Sequence, residues 1–225
     1  MLQMTQIDHG TIQYRDEFIR KMIHLCSLSF PIIYYFIPRY DAILILSGLT
    51  LFALSMELLR YFSPGAGEIF NRIFGFLMRE HEMDKKKKNL SGATYVFISA
   101  LLSVLIFPKV IFLTAFSVLI ISDTFAALIG RRYGKHQFLA KSLEGTLAFF
   151  VSAVIVVFVT PKIMYVPTEY YFGILAAALG AIAENISYGW ADDNMTIPLT
   201  VGGVIWICYL IFYPNVPLLL SHVPQ

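Results

Sequence analysis

Residues 110–135 read VIFLTAFSVLIISDTFAALIGRRYGK. From Val110 to Ile129 the stretch reaches the roughly 20 apolar residues that a helix needs to cross the hydrocarbon of a bilayer. One carboxylate, Asp123, interrupts it about two helical turns before the end, and the run stops at Gly130-Arg131-Arg132-Tyr133-Gly134-Lys135. A carboxylate at that depth is expensive unless a cation or metal compensates it, so it marks a place where function or a specific partner is expected. The segment reads as a transmembrane helix that ends in a cationic, glycine-bearing turn.

The rest of the chain repeats the pattern. Of 225 residues, 57% are hydrophobic and 14% charged, whereas a soluble domain carries about a quarter charged residues. Apolar runs predict spans over Ile23–Phe36, Ala42–Phe62, Ser91–Phe107, Val110–Ile129, Leu143–Val159, Tyr170–Ile186 and Ile197–Tyr213. The expected fold is therefore all-α: a polytopic transmembrane helical bundle of about seven spans, forming one integral membrane domain over 1–225. Between Glu68 and Glu80, Ile69, Phe70, Ile73, Phe74 and Leu77 recur at helical spacing, which predicts one interfacial amphipathic helix. Lys85–Lys88 follow it, positioned to attract anionic lipid. A net charge of +2 with no basic aromatic face excludes nucleic acid as an expected partner. Cys26 and Cys208 sit in apolar runs without metal-ligand spacing and read as small buried hydrophobes. The first twenty residues hold no apolar run followed by a small-residue cleavage site, so no removable signal peptide is expected.

Lysine and arginine fix the expected orientation. Arg15, Arg20 and Lys21 lie in segment 1–22, Arg60, Arg72, Arg79 and Lys85–Lys88 at or within loop 63–90, and Arg131, Arg132, Lys135 and Lys141 in segment 130–146. The alternate connectors hold only Arg39, Lys109 and Lys162. The positive-inside rule places the first group, and with it the N-terminus, in the cytoplasm. On seven spans the Trp190–Asn194 loop is also cytoplasmic and the C-terminus lies outside.

Four polar clusters fall on the cytoplasmic side of this topology. Arg20 and His24, four residues apart, share a helix face with Lys21 beside them and suit a phosphate as well as they suit a basic anchor. Ser91-Gly92-Ala93-Thr94 starts a helix, where the hydroxyls serve either as a cap and packing surface or as an anion contact. The third cluster joins Asp123, Gly130, Arg131, Arg132, Gly134, Lys135, Lys141, Ser142, Glu144, Gly145 and Thr146. Glycines that admit backbone N–H groups and cations that neutralise charge suit a triphosphate. Asp123 and Glu144 are the expected ligands of a divalent metal such as Mg²⁺, shared with phosphate oxygens. The bland alternative is a topogenic loop with a Lys141–Glu144 ion pair. Gly130 to Gly134 is one residue short of a Walker A spacing, and His136 follows the lysine. The fourth cluster is Glu184-Asn185 with Asp192-Asp193-Asn194, expected to act as metal ligand or general base, or alternatively to supply a helix cap through Asp193 or Asn194.

These clusters, in this order, resemble the polyprenol kinase family: dolichol kinases, phytol kinases and CTP-dependent diacylglycerol kinases. The resemblance runs from Glu17 to Leu199 through Arg20-Lys21-x-x-His24, Asn71, Arg79-Glu80-x-Glu82, Ser91-Gly92-Ala93-Thr94, Asp123-x-x-Ala126-x-x-x-Gly130-Arg131-x-x-Gly134-Lys135, Lys141-Ser142-x-Glu144-Gly145-Thr146, Glu184 and Asp193-Asn194-x-x-Ile197-Pro198-Leu199. It implies transfer of the γ-phosphoryl group of CTP to the hydroxyl of a membrane lipid alcohol, with Mg²⁺ or another divalent cation. It implies nucleotide binding by Gly130, Arg131, Arg132, Gly134, Lys135, Lys141, Ser142, Gly145 and Thr146, and catalytic roles for Asp123, Glu144, Glu184 and Asp193. Arg20, Lys21, His24, Ser91, Thr94 and Asn194 are the expected phosphate or substrate contacts. The acceptor (polyprenol, dolichol, phytol, another isoprenoid alcohol or diacylglycerol) and the oligomeric state are not readable from the chain.

Phosphatidate cytidylyltransferases share the Asp123–Gly145 pattern, but their closing Lys-Asp, Pro-Gly-His-Gly-Gly and Asp-x-x-Asp elements are missing here. A transporter also explains intramembrane carboxylates, yet no inverted repeat is seen and the polar groups gather at one face. The topology predicts that cysteines introduced at Lys87 and Ser221 label from opposite sides of intact cells; labelling from one side would overturn the span count.

Overall fold

The computed structural model describes residues 14–75, 78, 89–187 and 192–224. Its helices are α1 (Tyr14–Leu25), α2 (Ser29–Phe36), α3 (Arg39–Phe62), α4 (Pro64–Phe74), α5 (Gly92–Ile106), α6 (Lys109–Tyr133), α7 (Leu143–Val159), α8 (Pro167–Ile186) and α9 (Asp193–Phe212). A 3₁₀ turn, Cys26–Leu28, joins α1 to α2, so the first helical segment is longer than expected and begins at Tyr14, ahead of the apolar run that starts at Ile23. With α1 and α2 taken together, the helices other than α4 match the seven expected passes, and the bundle is all-α. Three helices, α3, α6 and α9, are long and apolar enough to span a bilayer, and α5 and α7 are shorter apolar helices. Arg79, Glu80, Lys85–Lys88 and Trp190 lie outside the described residues; α4, with Ile69 and Ile73 exposed, covers the first part of the amphipathic segment.

Helix α6 is the axis of the bundle. Every residue from Lys109 to Ile120 is buried, as are Ser122, Asp123, Thr124 and Ala126, and a helix that is apolar all round stays buried only when neighbours wrap it. Helices α1, α2, α5, α7 and α9 supply that wrapping. Phe112 and Phe116 stack at 5.1 Å between ring centroids, and Tyr34 meets Phe112 edge-on at 5.1 Å. Lipid tails provide no hydrophobic drive between helices, so close fit must replace it. At Gly202 of α9 an added Cβ would sit 2.6 Å from the Phe107 ring. The outward faces carry Ile32, Phe36, Leu51, Phe52, Ile155 and Ile211, an exposed apolar surface that only a membrane covers.

One correction concerns segment 130–146, expected as a loop. Gly130–Tyr133 form the last turn of α6, Gln137–Phe138 (β1) and Lys141–Ser142 (β2) pair as an antiparallel hairpin, and Leu143–Thr146 open α7. Leu139, at the hairpin tip, has φ 51°, a conformation that costs a branched side chain about 1 kcal/mol or more.

At the opposite end, basic residues close helix termini. Arg39 donates to the Leu105 carbonyl at 2.7 Å, Lys109 to those of Ile37 (2.8 Å) and Pro224, and Lys162 to those of Val157 (2.5 Å) and Thr160 (2.7 Å). Burial lowers the Lys162 ammonium to a pKa of about 8, an effect that Glu169 partly offsets. Replacing Phe116 with alanine removes a fully buried ring from the axis and is expected to cost about 3–5 kcal/mol, read as a lower melting temperature of purified protein in detergent. A near-normal melt would show that this axis does not carry the packing.

Candidate active site

Helix α1 carries Lys21 and His24 onto α6 one turn from its own C-terminal end. The Lys21 ammonium donates to Asp123 Oδ2, and His24 Nε2 lies 3.5 Å from the same oxygen. Lys21 and Asp123 are each 2% exposed. One turn earlier, Arg20 bonds Glu17 at 2.5 Å, and Arg131 reaches the other oxygen of Glu17 at 3.6 Å. Burial by itself would raise the Glu17 pKa, but Arg20, Lys21 and Arg131 outweigh it and hold the carboxyl at about 2. Glu17 was not singled out as a site residue. Its spacing of three from Arg20 on a helix was the available signal.

Across the bundle axis, β2 presents Lys141 to the end of α8 and the start of α9. Its ammonium lies 2.5 Å from Glu184 and 3.9 Å from Asp193. Burial alone would depress this lysine; Glu184 and Asp193 overcome it and raise the pKa above the ordinary lysine value. Asp123 and Asp193 also act electrostatically on Glu184, and His24 feels both aspartates. Lys21, His24, Asp123, Lys141, Glu184 and Asp193 therefore form one charged centre built from α1, α6, β2, α8 and α9.

Several expected contacts have other partners. Glu144 turns to His136, 2.7 Å from Nδ1, and accepts the His136 backbone N–H at 3.3 Å. The alternative Lys141–Glu144 ion pair is not formed. Ser142 caps α7 by accepting from Gly145 N at 3.2 Å, and Thr146 donates to Ser142 O at 3.1 Å. Gly130 and Gly145 lie back to back: a Cβ on Gly130 would be 3.3 Å from Gly145 Cα. These glycines let α6 and α7 touch, a packing demand that stands apart from any phosphate. The cap of α9 is Asp192, which accepts from Asn194 N at 2.9 Å, not Asp193 or Asn194. Ser91 and Thr94 belong to a second node on α3 and α5: Glu57 accepts from Ser91 N (2.8 Å) and Thr94 Oγ1 (3.1 Å) and pairs with Arg60 at 2.9 Å. Arg132 and Lys135 are exposed.

Asn185, beside Glu184 in the fourth cluster, is fully buried. Its Oδ1 accepts from Ala140 N (2.8 Å) and Lys141 N (3.2 Å), and its Nδ2 donates to Thr146 Oγ1 at 2.7 Å. It ties the hairpin and α7 to α8 and so holds Lys141 in place. The signal for it was an amide within an apolar helix, which must find partners in a membrane.

Among the described residues no group of three or more His, Cys, Asp and Glu is arranged to hold a metal ion. The oxygen chemistry of Asp123, Glu184 and Asp193 nevertheless suits a hard divalent cation that is shared with phosphates and water. Asn194 Oδ1 adds a buried acceptor with no hydrogen-bond partner.

Fold and site together define an integral membrane helical bundle with a buried, ion-paired polar centre at one end. The chain is 30% identical over 218 residues to CTP-dependent diacylglycerol kinase 1 of Saccharomyces cerevisiae, covering 84% of this chain and 72% of that one. It is 28% identical over 170 residues to the protein of the same name in Schizosaccharomyces pombe (69% and 75%) and 32% identical over 90 residues to dolichol kinase sec59 of that organism (39% and 17%). The chain belongs to this polyprenol kinase family of CTP-dependent lipid kinases. No protein-family model and no solved structure matches it.

The Lys21–Asp123 pair revises one expectation. With Asp123 unpaired, Asp123→Asn would leave the ligand-free protein as stable or more so; with Lys21 paired to it, the substitution strands a buried ammonium. Asp123→Asn is expected to destabilise by about 3–5 kcal/mol, and adding Lys21→Met to recover much of the loss. Melting temperatures of the wild type, both single variants and the double variant check this. Additive losses would rule the pair out as the compensating interaction.

Proposed function

We propose that the protein transfers the γ-phosphoryl group of CTP to the hydroxyl of a membrane lipid alcohol, and that this chemistry takes place on the cytoplasmic face. The observation that carries the reading is the charged centre, in which Lys21, Asp123, Lys141, Glu184 and Asp193 meet from five separate elements. Phosphoryl transfer asks a protein mainly to position its reactants and to neutralise charge. Diacylglycerol is the favoured acceptor, because two of the relatives matched over more than two thirds of this chain are named as diacylglycerol kinases.

In this reading Arg131, Arg132 and Lys135 take the phosphates as they arrive, and Lys141 and Lys21 give up part of their carboxylate pairing to them. Asp123, with one of Glu184 and Asp193, would share a divalent cation with phosphate oxygens and water, and when bound that cation supplies further neutralisation of the phosphate oxygens. A carboxylate of the same centre orients the acceptor hydroxyl and accepts its proton. The new bond joins that oxygen to the γ-phosphorus, and the bond to the β-phosphate oxygen breaks, releasing CDP. Asn185 fixes the hairpin so that Lys141 stays in register with Glu184.

Purified protein given CTP labelled at the γ-phosphate and diacylglycerol is expected to label the lipid. Label passing instead only from cytidine-labelled CTP to phosphatidate would make it a cytidylyltransferase, and no transfer to diacylglycerol would overturn diacylglycerol as the acceptor. Lys135 is exposed, so Lys135→Ala is expected to weaken CTP binding by about one to two decades, at roughly 1.5–3 kcal/mol for a charge-assisted contact, with little change in melting temperature. Lys141→Ala is a poorer test, because it leaves Glu184 buried without its partner.

A further inference from the structure

The end of the bundle opposite the charged centre holds a cavity of about 270 Å³ lined by Tyr34, Arg39, Pro108, Lys109, Leu218 and Leu219. It lies where α2 turns into α3 and where the α5–α6 corner meets the C-terminal segment. Tyr34 is 2% exposed, and its hydroxyl has no hydrogen-bond partner. The ring cannot easily swing to find one: it packs edge-on to Phe112 at 5.1 Å and lies under the Lys109 ammonium, 4.6 Å from the ring centroid. A pinned, buried hydroxyl without a partner carries the full cost of its desolvation.

Among the described residues, the two cations at this cavity hydrogen-bond only to backbone carbonyls. Arg39 uses one N–H on Leu105 O, and Lys109 uses two on Ile37 O and Pro224 O. Among the described residues neither has a carboxylate partner. Carbonyls at helix C-termini carry only about half a unit of negative charge per helix, so the cavity keeps net positive charge. It also keeps unused donors: one on Lys109, further guanidinium N–H groups on Arg39, and the Tyr34 hydroxyl. Several donors around net positive charge match a group with several acceptor oxygens, which a phosphate supplies. The remaining wall is apolar, and exposed Phe36, Tyr40 and Leu219 continue it along the outside of the bundle.

We propose that this cavity binds a phosphate group, as carried by the headgroup of an anionic membrane lipid, at a site separate from the charged centre. The proposal does not depend on the kinase reading, since none of its residues belongs to that centre.

Lipid binding to the purified full chain in neutral detergent tests it, with phosphatidylglycerol, phosphatidylcholine and inorganic phosphate as probes and native mass spectrometry and melting temperature as readouts. Phosphatidylglycerol is expected to bind saturably and raise the melting temperature, and zwitterionic phosphatidylcholine to do so less. Arg39→Gln and Tyr34→Phe are each expected to weaken phosphatidylglycerol about tenfold or more; the second removes a single oxygen and keeps the packed ring. Inorganic phosphate that binds with the same dependence on Arg39 and Tyr34 would support the phosphate site and assign it to the free ion. Phosphatidylglycerol binding unchanged in both variants, or equal to that of phosphatidylcholine, overturns the proposal. Phosphorylation activity is expected to be unchanged in both variants.

Discussion

A charge buried in a membrane protein must be answered by an opposite charge, and here the answer comes from a distant part of the chain. Lys21 and Asp123 are 102 residues apart, and Lys141 and Glu184 are 43 apart. Leaving either acid alone would cost several kcal/mol in this setting. The pairs therefore fix which helices lie side by side at this end of the bundle: α1 on α6, and the hairpin on the ends of α8 and α9. Apolar packing elsewhere holds the helices together, but leucine and phenylalanine faces are far less selective about their partners.

The same constraint ties structure to chemistry. Ion pairs that neutralise Asp123 and Glu184 in the ligand-free protein occupy the oxygens and ammonium groups that a cation and phosphates would use under the proposed function. A centre of this kind is balanced before its substrates arrive.

Close packing sets the frame in which the exchange happens. Gly130 and Gly145 allow α6 and α7 to touch immediately above Ser142, whose hydroxyl caps α7. Asn185 spans from α8 to the hairpin and to Thr146. Ser142 and Thr146 thus hold backbone and the Asn185 amide in place.

The apolar runs, their lengths and the lysine and arginine counts determined the all-α membrane bundle, its alternating passes and the gathering of polar clusters at one end, because span length and the cost of burying charge are properties of local composition. The same local signals flagged Asp123, Lys21, Lys141, Glu184 and Asp193. Their pairing was a matter for the tertiary structure. Sequence proximity offered Lys141 to Glu144 and left Glu184 unanswered, whereas the fold gives Lys141 to Glu184 and Glu144 to His136. Likewise the contact of α6 with α7 at Gly130 and Gly145 is a product of the fold. Partner choice depends on which helix ends meet in space, and local composition carries no record of that.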